Sequence, residues 1–243
     1  MAAPARRVAL VTGGGRGIGR EIALALARDG LDVAAAARVL GGRALALELD
    51  VTDLEGVRRA VARTETALGP VDVLVNNAGI AEAAPFLKTD PDLWDRHLRV
   101  NATGPFLLTR AVLAGMLERR WGRVINIASL VGLYGAPYVT AYTASKHALV
   151  GLTRALAVEV AGRGVTVNAI CPGYVATDLV WSAARNIEAK TGRSFDEAVA
   201  SLARINPGGR LIEPAEVAAV ALKLVWDDAT NGEAIVLDGS APA

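Results

Sequence analysis

Near its start the chain reads Val8-Ala9-Leu10-Val11 and then Thr12-Gly13-Gly14-Gly15-Arg16-Gly17-Ile18-Gly19, an order that leaves few folds open. The short apolar run is a strand, and Ile22, Leu24, Ala25 and Leu26 continue as a helix toward Gly30. A strand, a glycine turn and a helix make the opening of a dinucleotide-binding unit. Without a Cβ at Gly13, Gly17 and Gly19, backbone N–H groups and the helix N-terminus can approach a pyrophosphate closely. The spacing is Gly-x-x-x-Gly-x-Gly rather than the commoner Gly-x-Gly-x-x-Gly. On these residues alone, a turn that merely needs glycines remains the other reading.

The remaining runs repeat the alternation of strand and helix. Val33 to Ala37 is predicted as the second strand, Ala44 to Leu49 as the third, Val71 to Val75 as the fourth, Arg123 to Ala128 as the fifth, Val165 to Ile170 as the sixth and Ala234 to Leu237 as the last. Helices are expected over Leu54 to Leu68, Asp92 to Arg119, Tyr142 to about Ala161 and Pro214 to Trp226. One connection is short. Only Val39 to Arg43 separate the second and third strands, although a parallel crossover normally takes about a dozen residues. Five extended residues reach roughly 17 Å, about the length of one short strand, so the return must be a taut loop.

The chain of 243 residues is long enough for one α/β domain, spanning 1–243. It is 52% hydrophobic but only 5% aromatic, so its core must be Ala, Val and Leu, which suits a parallel sheet buried on both faces. A net charge of +1 with both signs interspersed gives no stripe for nucleic acid. Cys171 is the single cysteine, and with only His97 and His147 no metal-ligand cluster stands out; both histidines read as structural. The most apolar helical stretch, Phe106 to Leu117, is interrupted by Arg110 and is too short to span a bilayer. No signal-peptide core precedes the first strand, and the chain reads as cytoplasmic.

The chemistry concentrates in Tyr142-Thr143-Ala144-Ser145-Lys146, with Ser129 thirteen residues before the tyrosine. Positions four apart share one helix face, so the Tyr142 phenol and the Lys146 ammonium point into the same space. A cation beside a phenol favours the phenolate and is expected to lower the tyrosine pKa toward working pH, as a general acid/base requires. Asn101 falls in a helix interior, a poor place for an Asn unless its side chain has a task; an ordinary exposed Asn is the alternative. Asp50 follows the third strand, where it or Asp53 can cap the next helix.

Taken in order, the glycine turn, Asn76-Asn77-Ala78-Gly79, Asn101, Ser129, the Tyr142/Lys146 pair and Pro172-Gly173 closely resemble the short-chain dehydrogenase/reductase family, from about Val8 to Gly239. Gly69 to Val75 and Gly164 to Asn168 resemble the branch that reduces 3-oxoacyl and polyketide thioesters. The resemblance implies a doubly wound Rossmann-type α/β fold with a parallel sheet of about seven strands and a substrate lid over 178–210. It implies hydride exchange between a nicotinamide cofactor and a carbonyl/alcohol pair, with Asn101, Ser129, Tyr142 and Lys146 as catalytic residues. Asn101 would kink its helix and hold a water linking Lys146 to solvent. Gly13, Arg16, Gly17, Ile18, Gly19, Arg38, Asp50, Val51, Asn77, Ala78, Gly79, Tyr142, Lys146, Pro172, Gly173 and Thr177 would contact the cofactor, and no metal is implied. The short second crossover departs from the family pattern by omitting a helix there.

Three expectations follow about partners. NADP(H) is expected over NAD(H), because Ala37 stands where an NAD site needs a carboxylate and Arg16 and Arg38 can bracket a 2′-phosphate. The substrate is expected to be a 3-oxoacyl thioester or a bulky ketone, walled by Leu130, Val131, Leu133, Tyr134, Leu179, Val180 and Trp181; lid cations Arg185, Lys190 and Arg193 keep an NAD-dependent 3-hydroxybutyrate dehydrogenase as the alternative. A homotetramer is expected from surplus apolar residues on two helices, among them Phe106, Leu107, Val112, Leu113, Leu149, Leu152 and Leu156. Outside the enzyme class, the competing reading is a catalytically silent NADP(H)-binding regulatory protein. The four filled catalytic positions speak against it.

Overall fold

Alternation along each strand sends neighbouring side chains to opposite faces of one sheet. In the computed structural model, which describes residues 6–35 and 44–240, this divides the core in two. Ala9 and Val11 of β1 (Val8–Val11) and Val73 and Val75 of β4 (Val71–Asn76) face one helical layer, and Leu10 and Leu74 face the other. The first layer is α1 (Gly17–Arg28) and α8 (Pro214–Trp226), packing through Ile22, Leu26, Val217 and Leu224. The second is α2 (Leu54–Ala67), α4 (Gly104–Glu118) and α5 (Thr140–Glu159), through Val57, Val61, Leu108, Met116 and Val160.

With β2 (Asp32–Ala35), β3 (Ala44–Ala46), β5 (Gly122–Ile127), β6 (Val165–Pro172) and β7 (Ala234–Leu237), the sheet has seven strands in the order β3-β2-β1-β4-β5-β6-β7, every neighbouring pair parallel. Its order reverses between β1 and β4, which sets a crevice at the carboxyl ends of those strands. The central strands β4, β5 (Gly122–Ile127) and β6 (Val165–Pro172) are buried along their whole length. The edge is shorter than expected. β3 covers only Ala44–Ala46 rather than reaching Leu49. Ala44 and Ala46 are exposed, so little apolar burial extends that strand. The predicted taut loop, with Ala37 and Arg38, lies outside the described residues.

The long helix expected over Asp92 to Arg119 is broken in its interior. α3 (Pro91–Leu98) passes through a π turn, Arg99–Thr103, before α4 begins. The apolar stretch Phe106 to Leu117 is thus part of a 28-residue helical run, Pro91–Glu118, whose most apolar 18-residue window has a mean hydropathy of 1.2, long and apolar enough by length and composition alone to cross a membrane. It nevertheless carries fully buried His97 and Asn101, whose side chains bond to the loop after β4, and it packs on the sheet as a core helix. Deeper still, Asn76 donates to Asn126 at 2.9 Å and Asn126 to Thr153 at 2.9 Å, tying β4 and β5 to α5. α6 (Asp178–Thr191) and α7 (Phe195–Ala203) pack on each other over the stretch expected to serve as the lid.

Candidate active site

Because every strand runs the same way, the segments after β1, β4, β5 and β6 meet along one edge. The glycine turn after β1 is sewn to the segment after β4 through Thr12. Its hydroxyl accepts from the N–H groups of Asn77 (2.9 Å) and Ala78 (3.0 Å), and the Asn77 amide donates back to Thr12 O at 2.9 Å. Gly13 and Gly17 take left-handed φ of 62° and 51°, conformations that exclude most residues. A Cβ on Gly19 would sit 2.4 Å from both Asn77 Nδ2 and Gly13 O, and one on Gly17 would meet Thr177 Cγ2 at 3.3 Å. α1 begins after Arg16 with no side-chain cap, so its first-turn N–H groups are free for an anion. These features fit a pyrophosphate: a cradle without side chains, uncapped donors, and Thr177 at its far wall.

After β3, Asp50 accepts from the N–H and hydroxyl of Thr52, both at 2.8 Å, and these bonds hold its carboxyl below the usual range. Asp53 caps α2 by accepting from Glu55 N–H at 3.0 Å, so of the two acids the cap falls to Asp53. Val51 is buried against the start of α4, where a Cβ on Gly104 would touch it at 2.8 Å. Ile18 packs on the first core layer and Arg16 is exposed beside the turn.

At the other end, α5 carries Tyr142 and Lys146 one turn apart on the same face. Lys146 Nζ lies 5.8 Å from the centre of the Tyr142 ring. Nζ is buried and donates to Ile127 O at 2.7 Å, and burial pulls the ammonium down to about 8. Ser129, two residues past the end of β5, also faces the tyrosine. The expected depression of the phenol does not occur. Burial, the largest influence, pushes Tyr142 up, with Ser129 pulling the other way.

Asn101 is 0% exposed, which removes the ordinary-surface reading. Its Oδ1 accepts from Ile80 N–H, and its Nδ2 donates to Ile80 O and Ser145 Oγ, each at 2.9 Å; Ser145 Oγ donates to Tyr142 O at 2.7 Å. A Cβ on Gly79 would lie 3.1 Å from Asn101 Oδ1 and 3.7 Å from Lys146 Nζ, so both side chains converge on this glycine. His97, read as structural, accepts from Glu82 N–H and bonds Leu93 O, while its ring packs edge-on to Tyr142 with centroids 6.2 Å apart. It therefore also braces the tyrosine. His147 is exposed and bonds only its own helix at Thr143 O.

The lid walls need one revision. Leu179 is exposed and Trp181 stacks toward Phe195, but Val180 is buried with Ala184, Ala198 and Leu202 inside the lid and offers no pocket wall. Arg185, Lys190 and Arg193 are exposed. Three residues were not singled out by sequence. Thr12 and Ser145 stand inside quoted motifs and could have been found there; Asn206, 1% exposed at the lid's return, carries no sequence signal.

Comparison with known proteins gives a consistent family. The family model described as short chain dehydrogenase matches residues 7–188. An acetoacetyl-CoA reductase from Shinella zoogloeoides is 42% identical over 234 residues, 92% of each chain. A 3-oxoacyl-[acyl-carrier-protein] reductase from Vibrio harveyi is 36% identical over 245 residues, 96% of each. Among solved structures, a variant of actinorhodin polyketide ketoreductase with NADPH superposes with a TM-score of 0.92 at 38% identity, covering 98% of both chains.

Proposed function

The chain belongs to the short-chain dehydrogenase family, NAD(P)-dependent oxidoreductases, and from that premise we propose that it is an NADP(H)-dependent ketoreductase acting on 3-oxoacyl thioesters or bulky ketones. The observation that carries the reading is the convergence of Tyr142, Lys146 and Ser129 at the carboxyl edge of the sheet, beside an uncapped, side-chain-free helix N-terminus. When bound, the nicotinamide supplies the hydride. The Ser129 hydroxyl and the Tyr142 phenol hold the carbonyl oxygen, and Tyr142 delivers the proton. Burial keeps the phenol protonated at neutral pH, the state a donor needs. Lys146 stands below it as a cation that can bind a ribose hydroxyl, and Asn101 fixes the Ile80 loop against it.

Arg16, exposed beside the glycine turn, supports the choice of NADP(H) by offering a guanidinium to a 2′-phosphate. Substrate class rests on the apolar residues after Ser129 and on the exposed position of the lid cations Arg185, Lys190 and Arg193, which face water rather than a small free keto acid. The names of the two relatives point the same way. The assembly we propose is a homotetramer. The test is kcat/KM with NADPH and NADH for acetoacetyl-CoA, a bicyclic ketone and acetoacetate. The expected order puts NADPH first and free acetoacetate last; a preference for NADH, or for acetoacetate, overturns the corresponding half of the proposal.

A further inference from the structure

The segment Pro172-Gly173-Tyr174 leaves β6 at the carboxyl edge and feeds directly into the lid, so whatever fixes this turn fixes the wall on the nicotinamide side of the site. Gly173 N–H donates to Leu237 O at 2.8 Å, anchoring the turn's start to β7 (Ala234–Leu237). Its outer end is held by one side chain together with the backbone of Ile212. Asn206 Oδ1 accepts from Tyr174 N–H at 2.8 Å, while Nδ2 donates to Tyr174 O at 3.0 Å and to Arg210 O at 2.6 Å. The amide thus takes the place of a neighbouring strand, satisfying both backbone groups of one residue.

Asn206 lies beyond the end of α7, next to Ile205, which is 61% exposed; yet Asn206 itself is 1% exposed. The approach is so close that a Cβ on Gly173 would fall 2.2 Å from Asn206 Oδ1. Beside this clamp, Ala176 N–H donates to Ile212 O and Ile212 N–H to Tyr174 O, at 2.8 and 3.0 Å. The chain therefore leaves for the lid at Tyr174 and returns at Asn206 to Ile212, with the amide bolting the two ends together. The same device occurs opposite: Asn101 pairs both backbone groups of Ile80 after β4. One buried amide on each side holds a loop that borders the site.

We infer that Asn206 is a positioning residue, whose amide holds the Pro172–Tyr174 turn and the base of the lid in the geometry hydride transfer requires. The chemistry demands this side chain. Asp keeps the acceptor for Tyr174 N–H but turns an anion toward two carbonyls, Ala removes both functions, and Gln places its amide one methylene too far. The inference rests on the proposed nicotinamide site, and its test separates the two.

Asn206→Ala and Asn206→Asp are compared with the wild type by hydrogen exchange of the Gly173–Thr177 segment without cofactor, NADPH affinity by fluorescence, and steady-state kinetics per cofactor-binding site. Faster exchange confined to that segment and the lid is expected. So is a kcat lower by about ten- to a hundredfold, the range that misplacement of a reacting group produces, with the NADPH dissociation constant changed by less than about fivefold. The deuterium isotope effect from labelled NADPH is expected to grow as hydride transfer becomes limiting. Gly173→Ala supplies the independent arm. Its Cβ collides with the Asn206 amide, so the substitution should lower kcat more in the wild-type background than in Asn206→Ala, where the space has been emptied. Unchanged exchange, unchanged kcat, or strictly additive effects of the two substitutions would overturn the inference. If the wild type binds no NADP(H), the functional reading fails, while exchange and the stability of the two single and the double variants still decide whether Asn206 holds the turn.

Discussion

Tyr142→Phe keeps the ring against His97 and removes only the proton that reduction consumes. The expected result is a fall of about 10²–10⁴-fold in kcat with NADPH binding retained; activity within about tenfold of wild type would reject Tyr142 as the acid. The pH dependence follows from two groups moved in opposite directions. Tyr142 is raised by burial, so it stays protonated through neutral pH, whereas Lys146 is depressed to about 8 and loses its charge as pH rises through that value. Ketone reduction should therefore be flat at and below neutral pH and decline above about 8, while alcohol oxidation, which needs the phenolate, should climb with pH. A pH profile of kcat/KM in both directions checks this, and a reduction rate that increases above pH 8 contradicts it. The pairing of Tyr142 with Lys146 was legible because helical spacing dictates which side chains share a face. The sign of the tyrosine shift was not, because it depends on how deeply α5 is buried, which is not written in a five-residue motif.

At the level of elements, α2 offers a clean test of a local signal. Asp53 accepts from Glu55 N–H and pairs loosely with exposed Arg59, so Asp53→Ala removes one cap and an ion pair of little worth. The expected cost is about 1 kcal/mol, a drop of roughly 2–4 °C in Tm for a chain of this size, with kcat unchanged; calorimetry showing no drop would mean the cap is idle. Strands β4 to β7 were readable to within two residues because continuous Val and Ile runs bounded by glycine leave little choice. β3 was overextended, since at a sheet edge the length depends on the partner and not on propensity. The interruption of the long helix was signalled by an interior Asn101, but not its form. A π turn is set by the Asn101–Ile80 and Asn101–Ser145 bonds, contacts across the fold that no local pattern encodes.

For the whole molecule, the question is what covers the outer faces of α4 and α5. Val112 and Leu149, counted in the sequence as surplus apolar surface, are buried inside the protomer at 3% and 1% exposure and cannot serve an interface. Others can. Phe106 of α4 is 45% and Val158 of α5 79% exposed, and one exposed stripe of α5, at helical spacing with Val158, is small: Ala148, Gly151 and Ala155. A smooth face of small residues lets a second helix approach closely, and large apolar groups left in water at its margins favour that contact by about 25 cal/mol per Å² removed from water. Closed symmetry then makes the same face of a second copy its natural cover. Gly151 is a selective probe, because a Cβ there would meet nothing within 4 Å in the protomer. Gly151→Leu should leave the protomer folded, by circular dichroism and Tm, yet obstruct helix packing between copies. Light scattering at micromolar concentration is expected to give four protomers for the wild type and a smaller species for Gly151→Leu. A wild-type monomer would refute the assembly, and an unchanged tetramer in the variant would move the interface to another face of the molecule.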